Sequence, residues 1–159
     1  MKILFVCTGN TCRSPMAEGF LNAIAQKGDL DICAASAGVL THDGLFASEN
    51  AVIAMREYGI DISPHRSALI RKEAVLDADI VLTMSSSHRD MLLFSFGSEG
   101  KSIFTLKEFL GIGDADVIDP YGGDINIYRA TAAEIKNLVE RLLDLLARSG
   151  KYGDEFKKI

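Results

Sequence analysis

The chain has no tryptophan, only three prolines and three cysteines, and no apolar run approaching the roughly 18 residues of a membrane-crossing helix. Three cysteines, Cys7, Cys12 and Cys33, cannot all pair, and no secretory pattern accompanies them, so they read as reduced thiols rather than a disulfide scaffold. The first apolar stretch, Ile3 to Cys7, is too short for a signal-peptide core, and no small-residue cleavage pattern follows it. A cytoplasmic protein with no membrane association is therefore expected. Basic residues are scarce as well: 17 Lys and Arg stand against 22 Asp and Glu, a net charge of -5. That balance argues against a nucleic-acid partner, which would need a basic face, and leaves any anionic ligand dependent on local donors. His42, His65 and His88 show no metal-ligand spacing, so no metal or other cofactor is expected.

What is present is a chain of 159 residues, 48% hydrophobic and 25% charged, with no repeat, linker or low-complexity stretch. This suits one compact domain over residues 1–159. Short β-branched and apolar runs predict strands at 2–7, 31–37, 78–84 and 102–106. Between them the period becomes helical. Met16, Ala17, Phe20, Leu21, Ala23 and Ile24 share a face, residues 44–59 read likewise and close on Gly59, and a third helix is expected around 86–94. The segment 71–79 reads as a solvated helix face. A last helix starts near Tyr128, carries Ile135, Leu138, Val139, Leu142, Leu145 and Leu146 on one stripe, and ends at Gly150 before a lysine-rich tail expected to fray. Alternating strands and helices imply right-handed βαβ units, hence an α/β fold with a parallel sheet covered by helices on both faces.

Ligands in such open sheets bind outside the carboxyl ends of the strands. Residues 8 to 14 lie there, inside the stretch "VCTGNTCRSP". Pro15 suits the first turn of a helix, which makes Ser14 the expected N-cap and sets the loop at the positive end of the helix dipole. Thr8, Gly9, Asn10 and Thr11 are small or polar and allow successive N–H groups to curl around an anion, while Arg13 adds a planar fork able to hold two phosphate oxygens. Helix N-termini and nearby cations favour the thiolate form of a cysteine, the form a sulfur nucleophile needs. Cys7 is thus the candidate nucleophile, and the Ser14 hydroxyl could either cap the helix or donate to that thiolate. Taken alone, Cys7 would read equally as a small buried residue ending a strand, which is how Cys33 reads. A thiolate attacking phosphorus needs an acid opposite to protonate the leaving group, and the same group can then activate water. Asp119, in the turn-rich "VIDPYGGD" at 117–124 beside Tyr121, is the best candidate, although an Asp-Pro turn alone has a purely structural explanation.

Together "CTGNTCRSPMAE", "SAGV" at 36–39, "SPHRS" at 63–67 and "DPYGGD" resemble the low-molecular-weight protein tyrosine phosphatase family across essentially the whole chain. The resemblance implies a three-layer sandwich around a four-stranded parallel sheet of order 2-1-3-4, a phosphate loop after strand one, a phosphocysteine on Cys7, transition-state binding by Arg13 and acid-base work by Asp119. It also implies loop support from Asn10, Ser14, Ser36 and His65, for which local turn bonding is the bland alternative. Thr11 replaces the isoleucine usual in tyrosine-specific members, and Ser85 replaces a frequent acidic residue. Thr11, the paired Gly122 and Gly123, and "FTLKEF" at 104–109 resemble the bacterial protein arginine phosphatase branch.

A threonine removes part of an apolar wall and supplies a hydroxyl, which suits a guanidinium leaving group. Thr11 and Tyr121 are therefore the candidate specificity residues. The expected partners are phosphorylated proteins, phosphoarginine ahead of phosphotyrosine, and phosphate or another oxyanion in the loop from Thr8 to Arg13, with Cys12 also on its rim. Cys7 and Cys12 share one curled loop, so an inhibitory disulfide between them is a further hypothesis. An arsenate reductase would need two further cysteines downstream, and none follows Cys33. A non-catalytic phosphate-binding or redox-sensing module would leave Asp119 without a role.

Overall fold

Four short apolar runs form the sheet, and in the computed structural model, which describes residues 1–97, 102–113 and 116–148, all four strands run parallel. The elements in chain order are β1 (Lys2–Cys7), α1 (Arg13–Lys27), β2 (Cys33–Gly38), α2 (Glu49–Arg56), α3 (Lys72–Asp77), β3 (Ile80–Thr83), α4 (Ser86–Phe96), β4 (Ser102–Thr105), α5 (Leu106–Phe109) and α6 (Ile125–Arg148). The strand order is β2-β1-β3-β4. β1 is central, its Cys7 opposite Gly38 of β2 and its Val6 opposite Thr83 of β3, so the carboxyl ends of the strands align at one edge.

Side chains alternate along β1 and feed two cores. Ile3, Phe5 and Cys7 pack with Met16, Phe20 and Leu21 of α1 and with the buried stripe of α6, while Leu4 and Val6 pack with Val75 of α3, Val81 and Leu92 of α4. Both faces are thereby covered, as a fully buried parallel sheet requires. Among the described residues no helix is long and apolar enough to cross a membrane.

Several expectations are corrected. Residues 44–47 are not helical: Gly44 has φ +92, Leu45 N–H donates to Ser67 Oγ, and Phe46 bridges Arg66, so the helix begins only after the extended Ser48. Gly59 does close that segment, at φ +75, with its N–H on the Arg56 carbonyl. The fourth strand stops at Thr105, because "TLKE" is a capping box: Thr105 accepts from Glu108 N–H and Glu108 accepts from Thr105 N–H, which starts α5 at Leu106. On α6, Leu143 is buried and Leu145 is partly exposed, since both flank the stripe and packing rather than period decides which one is covered. Cys33 is exposed, not a buried strand end: it opens the edge strand β2 opposite Lys2. Gly150 and the lysine-rich tail lie outside the described residues.

Candidate active site

The chain leaves β1 at Cys7, curls through residues 8–12 and enters α1 at Arg13. The curl is held by backbone bonds to neighbouring segments: Val39 and Leu40 N–H donate to the Cys7 and Thr8 carbonyls, and Ser48 N–H donates to Thr11. Cys12 occupies the N-cap position of α1 without a side-chain cap. Ser14 is therefore not the cap; it is already inside the first turn, fully buried, and its hydroxyl turns inward to lie 2.9 Å from Cys7 Sγ. Asn10 Nδ2 donates to that hydroxyl at 2.9 Å, and the Ala37 carbonyl lies within reach of its hydrogen at 3.5 Å; once Cys7 is a thiolate, the only hydrogen left to bridge the two side chains is that of Ser14. The Asn10 backbone N–H donates to the sulfur at 3.3 Å, so two polar partners converge on Cys7.

Asn10 is the keystone of the curl. It sits at φ 53, a left-handed conformation that asparagine tolerates better than most residues, and is completely buried. Its amide also donates to Ser36 Oγ at 2.8 Å, its side-chain oxygen accepts from Ala68 N–H at 2.8 Å, and its carbonyl accepts from His65 Nε2 at 2.9 Å. Ser36 in turn donates to Glu18 at 2.5 Å, and Glu18 lies 3.8 Å from His65 Nδ1. Asn10 thus joins Ser14, Ser36 and His65 behind the loop, and Ser36 and His65 in turn meet at the Glu18 carboxylate.

Arg13 is buried along its stem and points across the opening. Its Nη1 donates to the Val117 carbonyl at 3.2 Å, and its Nη2 donates to Asp119 Oδ2 at 2.8 Å and to Thr8 Oγ1 at 3.4 Å. Asp119 also accepts from Tyr121 N–H at 3.2 Å, the local turn bond that an Asx-Pro step provides. The segment carrying Asp119 is lashed to the sheet edge: Val117 N–H bonds the Met84 carbonyl, Asp116 accepts from Ser86 N–H at the start of α4, and Lys107 donates to the Asp116 carbonyl. Cys7, Arg13 and Asp119 border one cavity of about 290 Å³, together with Thr8, Gly9, Thr11, Cys12 and Tyr121. Leu40, highly exposed, completes the lining; it was not singled out from sequence because a lone leucine in a loop carries no signal.

Residues 2–152 match the family model described as low molecular weight phosphotyrosine protein phosphatase. The chain belongs to this family. It is 43% identical over 145 residues to a protein-arginine-phosphatase of Geobacillus stearothermophilus, covering 91% of this chain and 95% of that one. Among solved structures it is similar to YwlE arginine phosphatase, a cysteine-to-serine mutant with a phosphorylated active site serine, at TM-score 0.91 and 38% identity, covering 96% of this chain and all of that one. It is also similar to a low molecular weight protein tyrosine phosphatase from T. tengcongensis, at TM-score 0.88 and 47% identity, covering 92% of this chain and 99% of that one.

Three further features of this family member were not evident from sequence. The Cys12 sulfur lies 3.3 Å from both Ser48 Oγ and Tyr128 Oη. Burial, reinforced by Cys12, pushes the Tyr128 phenol up to about 12, so it keeps its proton at neutral pH. Gly38 packs directly under the loop: a Cβ there would stand 2.6 Å from the Thr8 carbonyl oxygen and 3.0 Å from the Asn10 nitrogen. His88, one of the histidines that showed no ligand spacing, is buried against the loop with Nε2 2.8 Å from Thr8 Oγ1. The available signal was the Ser85-to-His88 spacing at a helix start, where the Ser85 hydroxyl caps α4 by accepting from His88 N–H. Among the described residues no cluster of three or more His, Cys, Asp or Glu is placed to hold a metal ion.

Proposed function

We propose that this chain hydrolyses phosphoarginine in proteins through a phosphocysteine on Cys7. The sulfur attacks phosphorus while Arg13 and the backbone N–H groups of the loop hold the phosphoryl oxygens. As the P–N bond breaks, Asp119 gives its proton to the departing guanidine nitrogen. Asp119 then takes a proton from the water that attacks phosphocysteine, releasing inorganic phosphate and restoring the Cys7 thiolate. The Arg13–Asp119 ion pair suits this order of events, because a phosphate that draws Arg13 away leaves the carboxylate oxygen available for a proton.

The observation that carries the substrate assignment is Thr11, which lines the same cavity as Cys7 and Asp119. Its hydroxyl stands where an isoleucine would offer only apolar surface, and the guanidinium of phosphoarginine is a polar, hydrogen-bonding leaving group. The arginine phosphatase relatives support the same reading. Tyr121 is 84% exposed at the cavity rim and favours a second reading, phosphotyrosine, whose ring could stack against it. Comparing phosphoarginine and phosphotyrosine peptides with wild type and Thr11→Ile separates the two. Wild type should prefer phosphoarginine and the variant should shift toward phosphotyrosine; a wild-type preference for phosphotyrosine that the substitution leaves unchanged would end the arginine assignment. Cys7→Ser should abolish turnover and keep phosphate binding. We also retain the Cys7–Cys12 disulfide as a proposal, with Ser48 and Tyr128 as groups that hold the Cys12 sulfur beforehand; a free Cys12 thiol in peroxide-inactivated protein would refute it.

A further inference from the structure

His88 is 5% exposed, and its imidazole bridges two hydroxyls, Thr8 Oγ1 at 2.8 Å from Nε2 and Ser85 Oγ at 2.7 Å from Nδ1. Thr8 is the loop residue directly after Cys7, and its oxygen is also an acceptor for Arg13 Nη2. Ser85 is itself buried and tied to Ser87 Oγ at 2.9 Å. A continuous chain of polar contacts therefore runs from the first turn of α4, through His88 and Thr8, to the guanidinium facing the cavity. We propose that His88 is a positioning residue for the oxyanion site: by fixing the Thr8 hydroxyl it sets where Arg13 Nη2 meets a phosphoryl oxygen. The inference rests on the phosphatase reading and deepens it.

Either neutral tautomer of His88 keeps the chain intact. With hydrogen on Nδ1, the ring donates to Ser85 and accepts from Thr8; with hydrogen on Nε2, it donates to Thr8 and accepts from Ser85. In both cases a Thr8 lone pair remains for Arg13. A protonated ring would set a second cation beside Arg13, and burial together with the Arg13 charge opposes this against the weaker pull of Asp116 and Asp119, holding His88 at about 4. The imidazole is therefore a neutral spacer at working pH. The contact is specific to the loop side as well as the helix side, which allows the two to be separated experimentally.

His88→Gln keeps an amide near the Nε2 position, toward Thr8, whereas His88→Asn keeps one near Nδ1, toward Ser85. If the role is to position Thr8 and Arg13, hydrolysis of a small aryl phosphate by His88→Asn should lose kcat by about tenfold to a hundredfold with little change in KM, the scale of a misplaced catalytic contact. Vanadate inhibition should weaken in parallel, and His88→Gln should recover most of both. A merely structural role at the start of α4 predicts the reverse order, with His88→Asn the better enzyme. In a Thr8→Val background the difference between the two His88 variants should vanish. Thermal unfolding identifies the folded variants; if neither amide variant folds, Thr8→Val and Thr8→Ser carry the test, and full vanadate affinity in Thr8→Val would overturn the proposal. Equal kinetics of His88→Asn and wild type would also overturn it. Wild type that fails to hydrolyse the aryl phosphate would instead sink the phosphatase reading itself.

Discussion

Replacing Asp119 by Asn tests the proposed chemistry most directly, because the amide fills the same volume and still offers an oxygen to Arg13 Nη2, 2.8 Å away in the native pair. What is lost is the transferable proton. General acid catalysis contributes about a hundredfold to ten-thousandfold, or roughly 3–5 kcal/mol of barrier. That loss should depend on the leaving group. A guanidine nitrogen cannot depart as an anion, so kcat/KM for a phosphoarginine peptide should fall by the full amount. An activated aryl phosphate needs little protonation, and its kcat/KM should fall by less than about tenfold. Its kcat should nevertheless collapse, since water attacking phosphocysteine has lost its base; rapid-quench kinetics should then show a burst of phenol close to one per enzyme followed by slow turnover. Asp119 shares Arg13 with any bound anion, so inorganic phosphate should bind the variant at least as well as wild type, which also reports on intact folding. Equal losses of kcat/KM on the two substrates, or turnover without a burst, would refute the assignment of Asp119 as both acid and base.

Other substitutions probe the scaffold. Gly38→Ala would press a methyl group against the Thr8 and Asn10 backbone, which cannot swing aside like a side chain, so a loss of about 2–3 kcal/mol in urea denaturation is expected together with reduced activity. Asn10→Ala removes the partners of Ser14, Ser36 and the Ala68 N–H and forces alanine to φ 53; about 3 kcal/mol should be lost, and unchanged stability would show that the network is dispensable. His88 makes stability pH-dependent. Its folded value of about 4 lies below the 6.5 of a free imidazole, so the unfolded chain binds the extra proton between those values. The stabilising contribution is complete above about pH 6.5 and is lost as pH falls toward 4, by up to about 3 kcal/mol. Denaturation at pH 7 and pH 4.5 should show a steeper loss in wild type than in His88→Gln, and parallel losses would refute it.

Much of the architecture was legible because it rests on local pattern. The β-branched runs at 2–7 and 78–84 and the 3.6-residue period from Met16 onward mark buried strands and amphipathic helices wherever they occur, and the loop between β1 and α1 announces itself by small residues followed by an arginine and a proline. The misreadings share a cause. Residues 44–47 carry a helical period but pair with residues 66 and 67 from a later segment, Leu143 displaces Leu145 through packing, and Cys33 is exposed because β2 is an edge strand. For Ser14 the residue type and place leave two roles open, N-cap or partner of Cys7, and only the curl, which sets its hydroxyl 2.9 Å from the sulfur, decides between them.

By itself, the sequence determined the order of the elements, the loop after the first strand, and the residue types able to attack, bind and protonate a phosphoryl group, since each follows from near-neighbour spacing and side-chain chemistry. Only the tertiary structure decided how those groups are held. It brings Asp119 to Arg13 across 106 positions, sets Glu18 against Ser36 and His65, leaves Gly38 no room for a side chain, and lays His88 against Thr8 from 80 positions away. These contacts are long-range, and they depend on the parallel register that gathers every strand's carboxyl end at one edge of the sheet. No local pattern encodes that meeting.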